Sequence, residues 1–158
     1  MSMTAHPEAG PAPRWAVVTT GILVIFGLGI STYLTIAHYL GTHALACSAN
    51  SVVDCALVTT SKQSVVLGIP VAVLGLAFFL AALPIYSPWA WRSPDRRIHV
   101  ARLVMVSVGM VFVLWLIAAE LLIIEKICLW CTAVHVVTFV LFAITIRTVP
   151  AMLAREDA

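Results

Sequence analysis

Four stretches of this chain are almost wholly apolar, and polar residues collect between them. Residues 15–39 and 64–86 contain no formal charge, while 99–123 and 127–146 are interrupted by only a few ionisable side chains. Each stretch has the roughly 20 residues that a helix needs to cross a hydrocarbon core of about 30 Å. Between the first two lies a polar segment, 40–63, long enough to hold a short helix around 52–59. The second stretch is opened by Gly68-Ile69-Pro70, and Pro70 suits the first turn of a helix, where a missing N–H is least felt. A short connection, 87–97, precedes the third stretch, and a sharp turn at Glu125-Lys126 precedes the fourth. In lipid every backbone polar group must be paired within the segment. The pattern therefore predicts an all-α integral membrane protein: a four-transmembrane-helix bundle whose 40–63 loop carries cysteines.

Composition points the same way. Of 158 residues, 62% are hydrophobic and 10% charged, with a mean hydropathy of +1.06, far above what a soluble domain of this length needs. The net charge is only +2, and no basic cluster with interleaved aromatics suggests a nucleic-acid partner. Residues 1–14 are rich in Pro and Ala and are expected to be a disordered tail, 15–148 the membrane domain and 149–158 a second tail. Arg14 before an apolar run resembles a signal peptide. The run is too long for one, however, and more spans follow, so it is expected to be a retained anchor. Arg14, Arg92, Arg96, Arg97, Arg102, Arg147 and Arg155 fall on one side of the predicted bundle, against Lys62 and Lys126 on the other. The positive-inside rule then places both termini and 87–97 in the cytoplasm, and loop 40–63 outside. Trp15, Trp89 and Trp91 are expected in the interfacial belt.

The four cysteines change the picture, because they form two close pairs, Cys47/Cys55 and Cys128/Cys131. Cys128-Leu129-Trp130-Cys131 stands where the fourth stretch begins. A thiol at a helix start has a lowered pKa and reacts as thiolate. A spacing of three places both sulfurs on one helical face within bridging reach, and His135 continues that stripe. With the predicted orientation, both pairs lie on the outer side, in an oxidising compartment. One pair sits on a loop open to soluble proteins and the other at the membrane edge. That arrangement suggests a relay by thiol–disulfide exchange ending on a lipid-soluble two-electron acceptor, for which a quinone is the obvious candidate. The bland alternatives are structural disulfides, or a zinc site made from all four sulfurs. Metal would block exchange, so none is expected.

In this order and spacing, Cys47-x7-Cys55, Cys55-x5-Ser61, Ser64-x3-Gly68-Ile69-Pro70 and Cys128-Leu129-Trp130-Cys131 resemble the vitamin K epoxide reductases and their bacterial homologues, over roughly residues 15–148. The resemblance implies that the loop pair passes electrons from a thioredoxin-fold partner to the membrane pair, which reduces a quinone of the menaquinone, ubiquinone or vitamin K type. It implies that Cys131 faces the quinone, that Cys128 forms a transient disulfide with Cys55, and that Cys47 meets the partner first. Animal members carry an asparagine four residues before the glycine and a tyrosine four residues after the last cysteine, both bonded to the quinone. Ser64 and His135 stand there in this chain. Many bacterial members carry a fused thioredoxin-like domain, and the end of this chain at Ala158 implies a separate partner.

The candidate quinone-binding residues are thus Ser64, His135, Gly68 and Ser61, each with a plainer reading. Ser64 bonds back to its own turn, His135 is a satisfied core histidine, Gly68 shapes the start of the helix, and Ser61 holds the loop. Glu120 is expected to snorkel to water, with a proton-relay role as the alternative. Asp54 either tunes Cys55 or is ordinary loop polarity; His38 and His43 read as interfacial and loop residues. Trp115 and Trp130 are candidates for the pocket wall. The leading reading is a thiol:quinone oxidoreductase that supports disulfide formation, in a bacterial plasma membrane given the short loops and the lack of an ER-retention ending. Its rivals are a quinone or quinone-epoxide reductase whose product is the quinol, and a non-catalytic scaffold stapled by disulfides.

Overall fold

The computed structural model describes residues 12–41, 45–47 and 49–156. The expected tail up to residue 11, His43 and the side chain of Arg155 lie outside the described part. Six α-helices follow in order: α1 (Arg14–Leu40), α2 (Cys55–Thr60), α3 (Val71–Ile85), α4 (Pro88–Arg92), α5 (Arg96–Ala119) and α6 (Leu129–Glu156). Three segments, 14–40, 96–124 and 129–154, are long and apolar enough to cross a membrane. The chain is accordingly a multi-pass helical membrane protein. Its outward surface is hydrocarbon-like, with Ile22, Ile25, Val104, Val108, Val111 and Leu114 all exposed on α1 and α5.

The packing of α1 follows from its sequence. Ala16, Thr20, Val24, Gly27, Ser31 and Leu34 recur at helical spacing and form its buried stripe. The small residues let α3 and α6 approach closely, as membrane helices require in the absence of a hydrophobic drive between them. Gly27 leaves room for the Phe79 ring, which a Cβ at that position would strike. Val24, Phe79, Ala82, Tyr86, Val106, Val137, Leu141 and Val149 make one buried core.

The second apolar stretch departs from the expected single helix over 64–86. A 3-10 turn (Lys62–Ser64) and a two-rung antiparallel hairpin, β1 (Val65–Val66) with β2 (Ile69–Pro70), come first, and only Val71–Ile85 is helical. Leu67 and Gly68 at the turn have φ of 53° and 83°. Two positive-φ residues in succession make the primed turn that matches strand twist, and glycine tolerates it freely. The 15 residues of α3 span only about 22 Å.

The other elements also correct details. α2 covers Cys55–Thr60 rather than 52–59, and the 87–97 connection contains α4, capped by Ser87, whose Oγ accepts the Ala90 N–H. α6 runs past the expected end at Ile146 to Glu156, so residues 149–156 extend a helix whose Val149 is fully buried. α5 does not continue regularly to residue 123; it changes at Glu120–Ile124 into a π-helical turn, closed by Glu125 in the left-handed conformation.

At the end of the bundle away from the cysteines, Arg102 is buried and not part of the surface charge. Its guanidinium donates to Ile85 O (2.6 and 3.2 Å) and to His99 Nδ1 (2.9 Å), and lies 3.8 Å over the Trp91 ring. His99 Nε2 meets Ser93 O at 3.0 Å. Because Nδ1 accepts from arginine, the Nε2 nitrogen carries the proton. Trp91 is therefore a core residue and not an interfacial one; Trp15 and Trp89 are exposed as expected.

Candidate functional site

All four cysteines converge at one end of the bundle. Cys55, Val58 and Cys128 form a buried cluster against which Cys47, Cys131, Leu45, Val53, Ile124 and Trp130 pack. Cys47 and Cys55 are joined in a disulfide, while Cys128 and Cys131 are free thiols. Cys55 is only 1% exposed, whereas Cys47 is half-buried. A soluble thiol would therefore reach Cys47 first.

Backbone pairing explains why a loop cysteine meets a helix cysteine 73 positions later (128 − 55). Val53 and Ile127 form a parallel bridge: Ile127 N–H donates to Val52 O (3.0 Å) and Asp54 N–H donates to Ile127 O (3.1 Å). Cys55 comes two residues after Val53 and Cys128 one residue after Ile127, so the bridge carries the two cysteines to the same place. Lys126 Nζ adds a bond to Ser51 O (2.6 Å). On the other flank, Trp130 packs on Tyr33 with ring centroids 4.9 Å apart and donates to Ala46 O (3.3 Å), while Ala46 N–H donates to Tyr33 Oη (2.7 Å). Trp130 thus straps the loop and does not line the pocket; Trp115 stacks on Phe112 and also lies off the wall. Asp54 is neither idle loop polarity nor aimed at Cys55. Its carboxylate caps α2 by accepting Leu57 N–H (2.9 Å).

Cys128 stands just before the first residue of α6. Its carbonyl accepts Thr132 N–H (2.8 Å), and its sulfur accepts Cys131 N–H (3.3 Å). The sulfur thus occupies the N-cap position, where helix donors favour a thiolate. Cys131, one turn on, reaches a cavity of about 150 Å³ between α1, α3, α5 and α6. A void of that size accepts a benzene-sized ring. Its walls are mostly apolar, including Leu34, Phe78, Phe79, Phe112, Val113 and Val134. Most of its polar groups lie near the cysteine end, Cys131, His135, Glu120, Thr59, Ser61, Gln63, Ser64 and His38, with Ser31 and Thr138 farther along α1 and α6.

Of the positions expected to contact a quinone, Ser61, Ser64 and His135 line this cavity, and Gly68 does not; it stands exposed at the hairpin tip. Both serine hydroxyls spend their proton on backbone, Ser61 on Val58 O (2.8 Å) and Ser64 on Ser61 O (2.7 Å), so they face the cavity as acceptors only. The His135 ring is buried and, among the described residues, has no hydrogen-bond partner. Of these three residues it is the one with hydrogen-bonding capacity left to offer. Sequence reasoning placed Glu120 in water; it is 6% exposed and on the cavity wall. His38, Gln63 and Thr59 also line the cavity and were not foreseen as pocket residues. The Asp54–Leu57 cap was foreseeable from an aspartate three residues before a backbone donor in an apolar run.

Apolar enclosure, a free thiol at its wall, a second thiol behind it and a disulfide packed against that suit two-electron chemistry on a lipid-soluble ring. Comparison with known proteins agrees. No curated protein matches the chain. A family model described as the vitamin K epoxide reductase family matches residues 18–146, most of the chain and all four cysteines. The chain belongs to the vitamin K epoxide reductase family, whose members are membrane oxidoreductases acting on thiols and quinones.

Proposed function

We propose that the protein moves electron pairs from an extracytoplasmic thioredoxin-fold dithiol, through Cys47/Cys55 and then Cys128/Cys131, to a bilayer quinone of the menaquinone, ubiquinone or vitamin K type, and so sustains disulfide formation. The observation that carries this reading is the placement of Cys131 on the wall of an apolar cavity, with Cys128 packed behind it against Cys55.

The steps balance. A partner thiolate attacks Cys47, breaking the Cys47–Cys55 bond and freeing Cys55 beside Cys128. The second partner thiol then closes the partner's disulfide and releases Cys47. Cys55 attacks Cys128 of an oxidised Cys128–Cys131 pair, and Cys47 resolves the mixed disulfide, leaving the inner pair as dithiol. That dithiol gives two electrons and two protons to the quinone and returns to disulfide. A Cys47–Cys55 disulfide beside free Cys128 and Cys131 thiols supports this order of steps. His135 is placed to donate to a quinone oxygen, and the aromatic wall at Phe78, Phe79 and Phe112 suits the ring and the start of an isoprenoid tail.

The same reading makes α1, α3, α5 and α6 four crossings. The short α3 is completed by the hairpin before it, whose Leu67 is 97% exposed. Lys62 and Lys126 lie at the cysteine end, while Arg14, Arg92, Arg96, Arg97 and Arg147 lie at the other. That asymmetry supports an extracytoplasmic cysteine end and cytoplasmic termini. The test mixes purified protein with a reduced thioredoxin-fold protein and menadione, and follows quinone absorbance. Wild type should turn over, Cys131→Ser should not, and a folded but silent wild type would refute the proposal.

A further inference from the structure

Glu120 is the one acidic side chain among the described residues on the cavity wall, and nothing in the relay above uses it. Its position follows from the π-helical turn. The Glu120 carbonyl accepts both the Glu125 N–H that closes the turn and Lys126 N–H (3.2 Å), so the chain reverses within a few residues. That reversal brings the Cys128 backbone N–H back beside the Glu120 carboxylate. π-helical turns of this kind recur at functional sites because they re-aim side chains. The carboxyl has no ion-pair partner among the described residues. Lys126, the nearest lysine in sequence, directs its ammonium to Ser51 O instead. An unpaired carboxyl under lipid is costly to keep and usually marks a functional group.

We propose that Glu120 carries a proton from the Cys128 thiol to the substrate oxygen in the cavity when the Cys128/Cys131 dithiol is oxidised; this rests on the thiol:quinone reading above. When the inner disulfide closes, two S–H bonds break and one S–S bond forms. The quinone gains two electrons and two O–H bonds. Cys131, on the wall, can pass its own proton directly. Cys128 lies behind it, buried at the helix start, and has no direct path to the cavity. Glu120 neighbours Cys128 on one side and borders the cavity on the other. It accepts the Cys128 proton, delivers it to the oxygen and ends as the carboxylate it began as. As many protons as electrons move, so no proton is drawn from water into the dry site. The other titratable groups facing this space are Cys131 and His135 from α6 and His38 from α1.

The test uses the full chain in lipid nanodiscs, reduced with dithiothreitol, desalted and mixed with menadione in a single turnover. Glu120→Gln keeps the side chain's size and its acceptor oxygen but cannot carry a proton. Oxidation of the inner pair should slow about 100-fold or more, the usual scale for losing a proton-transfer group. Half-saturation by menadione should be unchanged. Glu120→Asp, shorter but ionisable, should recover at least tenfold over Gln. A Gln variant within threefold of wild type, or an Asp variant no faster than Gln, overturns the inference while leaving the relay standing. A silent wild type removes both.

Discussion

Asp54 gives the sharpest quantitative test of how the loop is held. Its carboxylate accepts Leu57 N–H at 2.9 Å and caps α2, a helix of only six residues that carries Cys55. So short a helix has little stability of its own, and the cap is a large share of it. Replacing Asp54 with Ala should cost about 1 kcal/mol, within about 0.5–2. The backbone bond from Asp54 N–H to Ile127 O survives the change. Cys55 is 1% exposed, so a reagent reaches its sulfur only when α2 opens. Its labelling rate therefore scales with the opening constant, and 1 kcal/mol corresponds to about a fivefold rise, within about two- to thirtyfold. The assay is maleimide labelling followed by mass spectrometry in Cys47→Ser/Cys128→Ser/Cys131→Ser protein, which leaves Cys55 as the single thiol. Asp54→Asn separates two causes. Asparagine caps as well as aspartate, so Asn should label like the parent if capping is what Asp54 does. If the charge instead restrains Cys55 from ionising, Asn and Ala should both label faster, by similar factors. Equal acceleration in the two variants, or less than twofold in Ala, would refute the capping account.

Three further outcomes are expected. Arg102→Met removes three donors and strands Ile85 O and His99 in the core, at about 2–4 kcal/mol. The unfolding midpoint should fall by about 5–10 °C while quinone reduction at 25 °C stays within twofold, and Arg102→Lys should recover less than half the loss because it lacks the planar fork. Gly27→Ala drives a methyl into the Phe79 ring and should destabilise by about 1–3 kcal/mol. Gly21→Ala meets nothing and should be neutral or slightly stabilising in the same denaturation assay. Trp130→Phe keeps a ring against Tyr33 but loses the bond to Ala46 O, so proteolysis of loop 45–54 should quicken by about two- to tenfold.

Part of the site was readable in the sequence, because a spacing of three puts two sulfurs on one helical face; that Cys55 meets Cys128 came only from the family resemblance. Cys128, Cys131 and His135 share a stripe by helical arithmetic. Length and hydropathy defined α1, α5 and α6 to within a few residues, except where α6 runs on to Glu156. What escaped sequence reasoning depended on long-range partners. Residues 64–86 have one uniform apolar character, and hydrophobicity does not tell a short apolar hairpin from a helix. Leu67 and Gly68 decide it through their backbone angles. Ala-Ala-Glu-Leu-Leu gives no sign of a π-helical turn, because that turn is set by the reversal into Cys128. Counting arginines assigned Arg102 to a surface, and only the Ile85 carbonyl, His99 and Trp91 around it explain its burial.

That arginine cluster lies 18 residues before Glu120 on α5, about 27 Å along the helix axis. It clamps the far ends of α3, α4 and α5 together, whereas the redox end is fastened by a single bridge and a few side-chain bonds. Compliance is therefore unevenly distributed, with a stiff base and a mouth that can breathe. Strain on the cysteine segment therefore need not reach the packing that Arg102 holds together at the opposite end.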